Sequence, residues 1–124
     1  MLVVAFETGD SATYRSLYAD SAIFHDNGSD MTLDQNVVLF NYFKSNNVTV
    51  KVEKVDPIWE IVNKEASPNG ITNYVMSFQH TVYKKGDKEV KVIVSVVNGI
   101  KDGKIVEEWD LYNAKPMFDL MSQK

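Results

Sequence analysis

The chain has 124 residues, of which 44% are hydrophobic and 24% are charged, a balance typical of one globular domain with its own core. The net charge of -4 argues against nucleic acid or an anionic membrane as the main partner. Cysteine is absent, which excludes disulfides, thiolate nucleophiles and cysteine metal sites and fits a cytoplasmic protein. No apolar run is long enough to span a membrane, and residues 1–6 lack the basic start of a signal peptide.

The first part of the chain predicts two helices with a short strand between them. The first helix is expected over residues 11–18 and the strand over residues 22–26. Thr32 and Gln35 have the spacing of a capping box, so a second helix should begin there and run to about Ser45. Its apolar face would be formed by Leu33, Val37, Leu39, Phe40 and Phe43.

From residue 48 the hydrophobic pattern changes to a period of two, which predicts a sheet. The expected strands cover residues 48–62, 71–84, 88–98 and 104–113. Asp56 and Pro57 interrupt the first of them, so we expect a bulge or an edge position there. Residues 114–124 would form a short amphipathic tail that uses Met117, Leu120 and Met121.

The two hairpins decide which side chains share a face of this sheet. We pair Lys84 with Lys88, and Ile100 with Lys104, because these registers keep the apolar residues together. The face that the helices would cover then holds Met76, Phe78, His80, Val92, Val94, Val96, Glu108, Asp110 and Tyr112. The opposite face would hold Val75, Ser77, Gln79, Thr81, Ile93, Ser95, Val97, Trp109 and Leu111. Its exposed aliphatic residues predict a homodimer surface.

Both ends of the chain resemble one known family. Glu-Thr-Gly-Asp at 7–10 and Leu-Tyr-Ala-Asp-Ser-Ala-Ile-Phe-His-Asp at 17–26 resemble the "GD…LYADDAxxxD" opening of the NTF2-like superfamily. Asp-Gly-Lys-Ile-Val-Glu-Glu-Trp-Asp at 102–110 resembles the last strand of its SnoaL-like branch. The resemblance implies a single domain over residues 1–124 with an α+β, cystatin-like cone, in which N-terminal helices cover the concave face of a curved antiparallel sheet. Members of the family begin with a long helix before the Gly-Asp motif at 9–10. Residues 1–6 are shorter than that helix, so we expect the family's N-terminal helix to be shortened here.

The resemblance is specific for the fold and leaves the activity open, because the superfamily includes ketosteroid isomerases, limonene-epoxide hydrolases, polyketide cyclases and non-catalytic modules. Asp26 falls where the isomerases hold their general base. Their protonated oxyanion-hole acid would fall at Ser95 or Val96, and neither is an acid. Asp110 falls where the hydrolases and cyclases hold a pocket acid. The hydrolases' arginine has no evident counterpart, since the chain's one arginine is Arg15.

Three residues are the candidate catalytic groups. Asp110 would be desolvated among apolar neighbours, which raises its pKa and suits an acid or base at neutral pH. Asp26 is the second candidate, although an Asp before Asn-Gly is also an ordinary turn former. His80 would lie roughly 10 Å from Tyr112, so that a ligand could bridge it to Asp110, or it would be a rim histidine with one partner. The other predicted pocket residues are Tyr14, Phe24, Phe40, Phe43, Trp59, Met76, Phe78, Val94, Val96, Glu108 and Tyr112.

Two hypotheses for the function follow. The first is an apolar pocket with acidic groups that binds a small hydrophobic molecule without catalysis, which the missing oxyanion acid and arginine favour. The alternative is a small isomerase, cyclase or hydrolase that uses acid–base chemistry on a ring-like substrate, which the carboxylates on the concave face favour. Neither hypothesis requires a cofactor or a metal, since the carboxylates and His80 lack the close spacing of metal ligands.

Overall fold

A computed structural model of the chain describes residues 10–122, in three helices and six strands. The helices are α1 (Ser11–Ser16), α2 (Leu33–Ser45) and α3 (Lys115–Met121). The strands are β1 (Tyr18–Asp26), β2 (Ser29–Thr32), β3 (Val48–Val62), β4 (Asn73–Lys85), β5 (Lys88–Lys101) and β6 (Lys104–Leu111). The predicted shortening of the family's N-terminal helix concerns residues 1–6, which lie outside the described residues. Within residues 10–122, no helix is both long and apolar enough to cross a membrane.

The strands form one curved, open sheet in the order β2-β1-β6-β5-β4-β3. Strands β1 and β6 run parallel, and the other neighbouring strands are antiparallel. The predicted α+β class with a curved antiparallel sheet is therefore confirmed. The prediction for Asp56 and Pro57 is also confirmed, because β3 is an edge strand whose register shifts between Val55 and Ile58.

The helix ends follow from local hydrogen bonds. The capping box is present, since the Gln35 amide donates to the Thr32 hydroxyl at 3.2 Å and the Thr32 amide donates to the Gln35 side chain at 2.9 Å. Helix α1 ends at Ser16, earlier than predicted. The chain there enters the sheet, because the Ile105 amide donates to the Leu17 carbonyl at 3.0 Å and Tyr18 is already a strand residue.

Two hydrophobic clusters fill the space between the helices and the sheet. The first joins α1, α2 and β1 and contains Tyr14, Tyr18, Ala22, Phe24, Leu33, Val37 and Phe40. The second joins the end of α2 to α3 and strands β3 to β5 and contains Phe43, Val48, Tyr83, Val92, Met117, Leu120 and Met121. The apolar side of the predicted C-terminal tail is therefore buried.

The register between β4 and β5 corrects one prediction. Lys85 pairs with Lys88 through the two-residue turn Gly86-Asp87, whereas the prediction paired Lys84 with Lys88. Gly86 has a φ of 62°, as a Gly-first hairpin turn requires. A shift of one residue exchanges the two faces of a strand. The helix side of β4 consequently presents Ser77, Gln79, Thr81 and Tyr83, and Val75 shares their parity. The outer side presents Met76, Phe78 and His80.

The register between β5 and β6 differs from the prediction by two residues. Lys101 pairs with Lys104, and beyond a register shift at Gly99 and Ile100, Val96 pairs with Asp110. A shift of two residues preserves the faces. Glu108, Asp110 and Tyr112 therefore face the helices as predicted, although the direct neighbour of Asp110 is Val96, where the prediction had Val94.

Candidate functional site

A cavity of about 110 Å³ lies between the concave face of the sheet and the helices. Nine of the residues predicted for the site line it: Tyr14, Asp26, Phe40, Phe43, Val94, Val96, Glu108, Asp110 and Tyr112. Eight further lining residues were not predicted: Tyr18, Asn36, Leu39, Val52, Gln79, Thr81, Tyr83 and Met117. Leu39 and Met117 belong to apolar faces that the sequence predicted, so their spacing could have assigned them to the cavity.

Five predicted site residues lie elsewhere. Phe24 is fully buried in the core against Tyr18, with 4.9 Å between the ring centroids. Met76, Phe78 and His80 lie on the outer face of the sheet because of the one-residue correction in β4, and Trp59 of β3 lies there because it pairs with Met76. The His80 Nε2 atom lies 3.6 Å from Asp56 Oδ2 of edge strand β3, so this histidine does not reach the cavity.

Glu108 and Asp110 form a carboxyl pair on β6, in which Glu108 is buried and Asp110 is partly buried. Glu108 is 6% exposed, and the Tyr18 hydroxyl donates to its Oε1 atom at 2.7 Å. The two carboxyl groups lie two residues apart on the same face of β6, close enough to influence each other's ionisation. Burial raises the pKa of Glu108, and burial together with the nearby Glu108 charge raises the pKa of Asp110 to about 10. The pair therefore retains a proton at neutral pH, and the Tyr18 hydrogen bond to Glu108 favours its location on Asp110.

Asp26 is the third carboxyl group of the cavity. It pairs with Asp110 across the parallel strands β1 and β6, so their side chains rise from the same face about 4.8 Å apart at the backbone. The Tyr112 hydroxyl donates to Asp26 Oδ1 at 2.8 Å. Burial raises the pKa of Asp26, and the Tyr112 hydrogen bond acts in the opposite direction. Asp26 is thus a partly desolvated base next to a protonated acid.

The turn after β1 fixes the position of Asp26 relative to β6. The Asn27 amide donates to the Asp110 carbonyl at 2.9 Å, and its side chain exchanges two hydrogen bonds with the backbone of Tyr112 at 2.9 and 3.0 Å. Asn27 has a φ of 49°, in the left-handed region that asparagine tolerates better than most residues. The Asn-Gly pair after Asp26 therefore forms a turn, and the hydrogen bonds of Asn27 also fix the end of β1 against the end of β6.

Two tyrosines extend the polar network toward helix α2. The hydroxyl oxygens of Tyr14 and Tyr18 lie 3.4 Å apart, and the Asn36 side chain donates to the Tyr14 hydroxyl at 2.6 Å. Burial raises the pKa of both tyrosines. Both remain protonated at neutral pH, and Tyr18 is the one that donates to a carboxyl group, that of Glu108.

No lysine or arginine of the described residues lines the cavity. The guanidinium of Arg15 donates to Asp34 at 2.7 Å on the surface, so the arginine of the epoxide hydrolases has no counterpart here. Among residues 10–122, no group of histidine and acidic side chains has the arrangement of a metal site. With no cation among these lining residues, bound protons reduce the negative charge of the carboxyl groups, and tyrosine hydroxyls stabilise the charge that remains by hydrogen bonding.

Solved structures with this architecture include proteins of several activities. The LEH-like epoxide hydrolase of M. tuberculosis has a TM-score of 0.69 at 19% identity, over 97% of this chain and 83% of that protein. IdmH of Streptomyces antibioticus, a suggested polyketide cyclase, has a TM-score of 0.68 at 16% identity, over 98% and 94%. An NTF2-like protein of unknown function from Cytophaga hutchinsonii has a TM-score of 0.61 at 12% identity, over 94% and 88%. No protein-family model and no curated protein matches the sequence. The likeness to these structures establishes that the chain has the NTF2-like fold.

Proposed function

We propose that the chain is a small enzyme that removes a proton from carbon next to the carbonyl group of a small, largely apolar substrate. This step begins both isomerisation and cyclisation of such compounds. The observation that carries the proposal is the placement of buried Glu108 and partly buried Asp110 on the cavity side of β6 beside Asp26, where their raised pKa values keep a proton on the pair at neutral pH. A protonated carboxyl group in an apolar site is a hydrogen-bond donor that can stabilise an oxyanion.

Each group has a distinct role in this reaction. The Asp26 carboxylate takes the proton from the α-carbon, and its partial burial makes it a stronger base than an exposed aspartate. The electron pair of the broken C–H bond moves to the carbonyl oxygen, which accepts a hydrogen bond from the Asp110 carboxyl group. Return of the proton from Asp26 to another carbon completes an isomerisation. In a cyclisation the enolate carbon instead attacks a second carbonyl group, whose C=O π electrons move to its oxygen, and this alkoxide takes the proton back from Asp26.

The pairing of Val96 with Asp110 supports this assignment. The resemblance to ketosteroid isomerases placed an oxyanion-hole acid at Ser95 or Val96. Here the neighbouring strand supplies an acid directly opposite Val96, on the same face of the sheet. The arginine-dependent hydrolase alternative is less well supported, because Arg15 is paired on the surface.

The test uses cyclohex-3-en-1-one, a single-ring ketone whose isomerisation to the conjugated enone is followed by absorbance. Deuterium incorporation at its α-carbons, followed by NMR in D₂O, reports the proton abstraction itself. We expect Asp26→Asn to lower both rates by about 100-fold or more, and Asp110→Ala by about 100-fold. His80→Gln, on the outer face, is the control and should keep the wild-type rates.

Wild-type rates equal to those in buffer would contradict the enzymatic proposal, as would an Asp26→Asn variant of full activity. Those results would favour the second candidate, a pocket that binds a small hydrophobic molecule without catalysis. This candidate is supported by the hydrogen bonds that Glu108 and Asp26 already form with Tyr18 and Tyr112, because such bonds also suit acids with a structural role.

A further inference from the structure

Gln79 is a polar residue on the wall that β4 forms across the cavity from the acids, beside Thr81 and Tyr83. Its side chain lines the cavity from β4, on the helix side of the sheet. Within residues 10–122, its carboxamide forms no hydrogen bond, while its backbone belongs to the ladders with β3 and β5 and its carbonyl also accepts from the Thr81 hydroxyl at 3.3 Å. A half-buried amide with free donors and an acceptor has capacity for a bound molecule.

The sheet register sets the position of Gln79 relative to Asp110. Gln79 pairs with Val94 on β5, and Val96, two residues along that strand, pairs with Asp110 on β6. Two strand spacings and this offset separate the backbones of Gln79 and Asp110 by roughly 10–12 Å. The floor between them consists of Val94 and Val96, both of which line the cavity. From Asp110 to Gln79, the cavity floor therefore presents first a carboxyl group, then the apolar side chains of Val96 and Val94, and last a carboxamide.

We propose that the Gln79 carboxamide is a specificity-determining contact that binds a second polar group of the substrate. The substrate would carry its reacting carbonyl at Asp110, an apolar body over Val94 and Val96, and a hydroxyl, carbonyl or amide at Gln79. The cavity volume of about 110 Å³ limits the enclosed body to about one ring, since a cavity of about 150 Å³ holds benzene. This inference rests on the proposed function for the position of the carbonyl.

Gln79 occupies the position on the concave face that the predicted register gave to His80. The predicted register put His80 on the concave face at bridging distance from Asp110, and the one-residue correction brings Gln79 there instead. The exchange changes the chemistry of the contact. An amide is neutral at every accessible pH, so it selects a polar group by hydrogen bonding and cannot take part in proton transfer.

The test compares two ligands of nearly equal size, 4-(hydroxymethyl)benzaldehyde and 4-ethylbenzaldehyde. Both have a carbonyl group without an α-hydrogen, so they bind without reacting, and they differ in a hydroxyl against a methyl group. Dissociation constants are measured by protein-observed NMR titration for the wild type, Gln79→Leu and the control His80→Leu. The control makes the same kind of change one residue away, on the outer face of the same strand.

We expect the wild type and His80→Leu to prefer the hydroxymethyl compound by about fivefold, the factor for one net hydrogen bond. Gln79→Leu should abolish this preference and leave the affinity for the ethyl compound equal or higher. A preference that survives in Gln79→Leu, or the absence of any wild-type preference or binding, would overturn the assignment. Asp110→Ala separates the two proposals, because equal binding of the ethyl compound to that variant would count against the Asp110 contact while the Gln79 preference still stands.

Discussion

At the scale of single residues, Asp110 determines what the cavity can do. Its carboxyl group shares a buried site with Glu108, and Asp26 adds a third acid nearby. Ionising all three groups without a cation in the lining would place like charges together in an apolar space, which is costly. A retained proton on Asp110 avoids this cost and gives the site a hydrogen-bond donor at neutral pH.

The raised pKa of Asp110 predicts how stability changes with pH. A carboxyl group whose pKa is about 10 in the folded state and about 3.9 when unfolded destabilises the fold progressively as pH rises between these values. We expect Asp110→Asn, which cannot ionise, to raise the free energy of unfolding at pH 8 by about 1–3 kcal/mol relative to wild type. The gain at pH 5 should be smaller. Urea denaturation at the two pH values measures both differences.

The control for this prediction is Asp119→Asn, because Asp119 is exposed and paired with Lys115 in helix α3. Its difference from wild type should be similar at pH 5 and pH 8. An Asp110→Asn protein that is strongly destabilised at pH 8 would instead identify Asp110 as an ionised structural acid. The catalytic assignment would then move to Asp26 alone.

At the scale of elements, the register of the hairpin between β4 and β5 was predicted wrongly, whereas the face that β6 turns toward the helices was predicted correctly. Glu108, Asp110 and Tyr112 share one face in any register because they are two residues apart, and a register error of two residues leaves that face toward the helices. Strand β4 has apolar residues on both faces, and pairing it so as to keep the apolar residues together selected the wrong register. The Gly86-Asp87 turn selects the register, and it is a signal that the sequence contained.

Contacts between distant segments were beyond the reach of the sequence pattern. The bond from Tyr18 to Glu108 joins residues 90 positions apart, and the parallel pairing of β1 with β6 brings Asp26 next to Asp110. No local period encodes either contact, and resemblance to a known family was the basis for grouping the two aspartates. The helices were predicted well because capping and apolar spacing are local properties.

A histidine clamp connects several elements on the side of β1 and β6 away from the acids. His25 Nδ1 lies 2.7 Å from Asp30 Oδ1, and Nε2 lies 2.6 Å from Glu107 Oε2. Glu107 also accepts from the Asn69 side chain at 2.6 Å, which ties the loop before β4 to β6. Both ring nitrogens can donate to carboxylates only in the imidazolium form. The ring of His25 stacks on Trp109 with 5.2 Å between the centroids.

The clamp predicts a second pH effect. The hydrogen bond to Glu107, and then the contact with Asp30, raise the pKa of His25 above its ordinary value near 6.5. Its stabilisation is therefore fully present below about pH 6.5 and is lost as pH rises through the folded-state pKa. We expect His25→Gln to lower the unfolding free energy at pH 6 by about 0.5–1 kcal/mol, and by less at pH 9.

Imidazole proton NMR checks the cause directly. The His25 pKa should lie above 6.5 in the wild type and fall in Glu107→Gln, which keeps the shape of the partner and removes its charge. A His25 pKa at or below 6.5 in the wild type would contradict the clamp.

At the scale of the whole molecule, the outer face of the sheet carries large exposed apolar residues. They are Trp59, Phe78, Ile93 and Leu111, with Ile61 near the end of β3. Val97 and Trp109 belong to the same face and are partly buried. Val75, which was predicted for this surface, has the parity of the opposite face. The helices cover the concave face, so the apolar outer face is without cover among the described residues.

We propose that this outer face is the interface of a homodimer, because a contiguous exposed apolar surface of this kind is typical of association sites. Sedimentation equilibrium at micromolar concentration should give twice the 14.1 kDa mass of one chain. Ile93→Lys, in the middle of the face, should shift the protein toward monomer, whereas Val38→Lys on the exposed side of α2 should not. A wild-type protein that remains monomeric would refute the proposed interface.

The most direct measurement of the central proposal is the ionisation of Asp110 itself. Carbon-13 NMR of the aspartate carboxyl carbons, with Asp110→Asn used for assignment, follows this group from pH 4 to pH 11. A protein in which Asp110 is the protonated donor of the cavity should show its carboxyl group still protonated at pH 7 and titrating near 10. An Asp110 carboxyl group that ionises near pH 4 would contradict the proposal, because Asp110 would then have no proton at pH 7 to donate to an oxyanion.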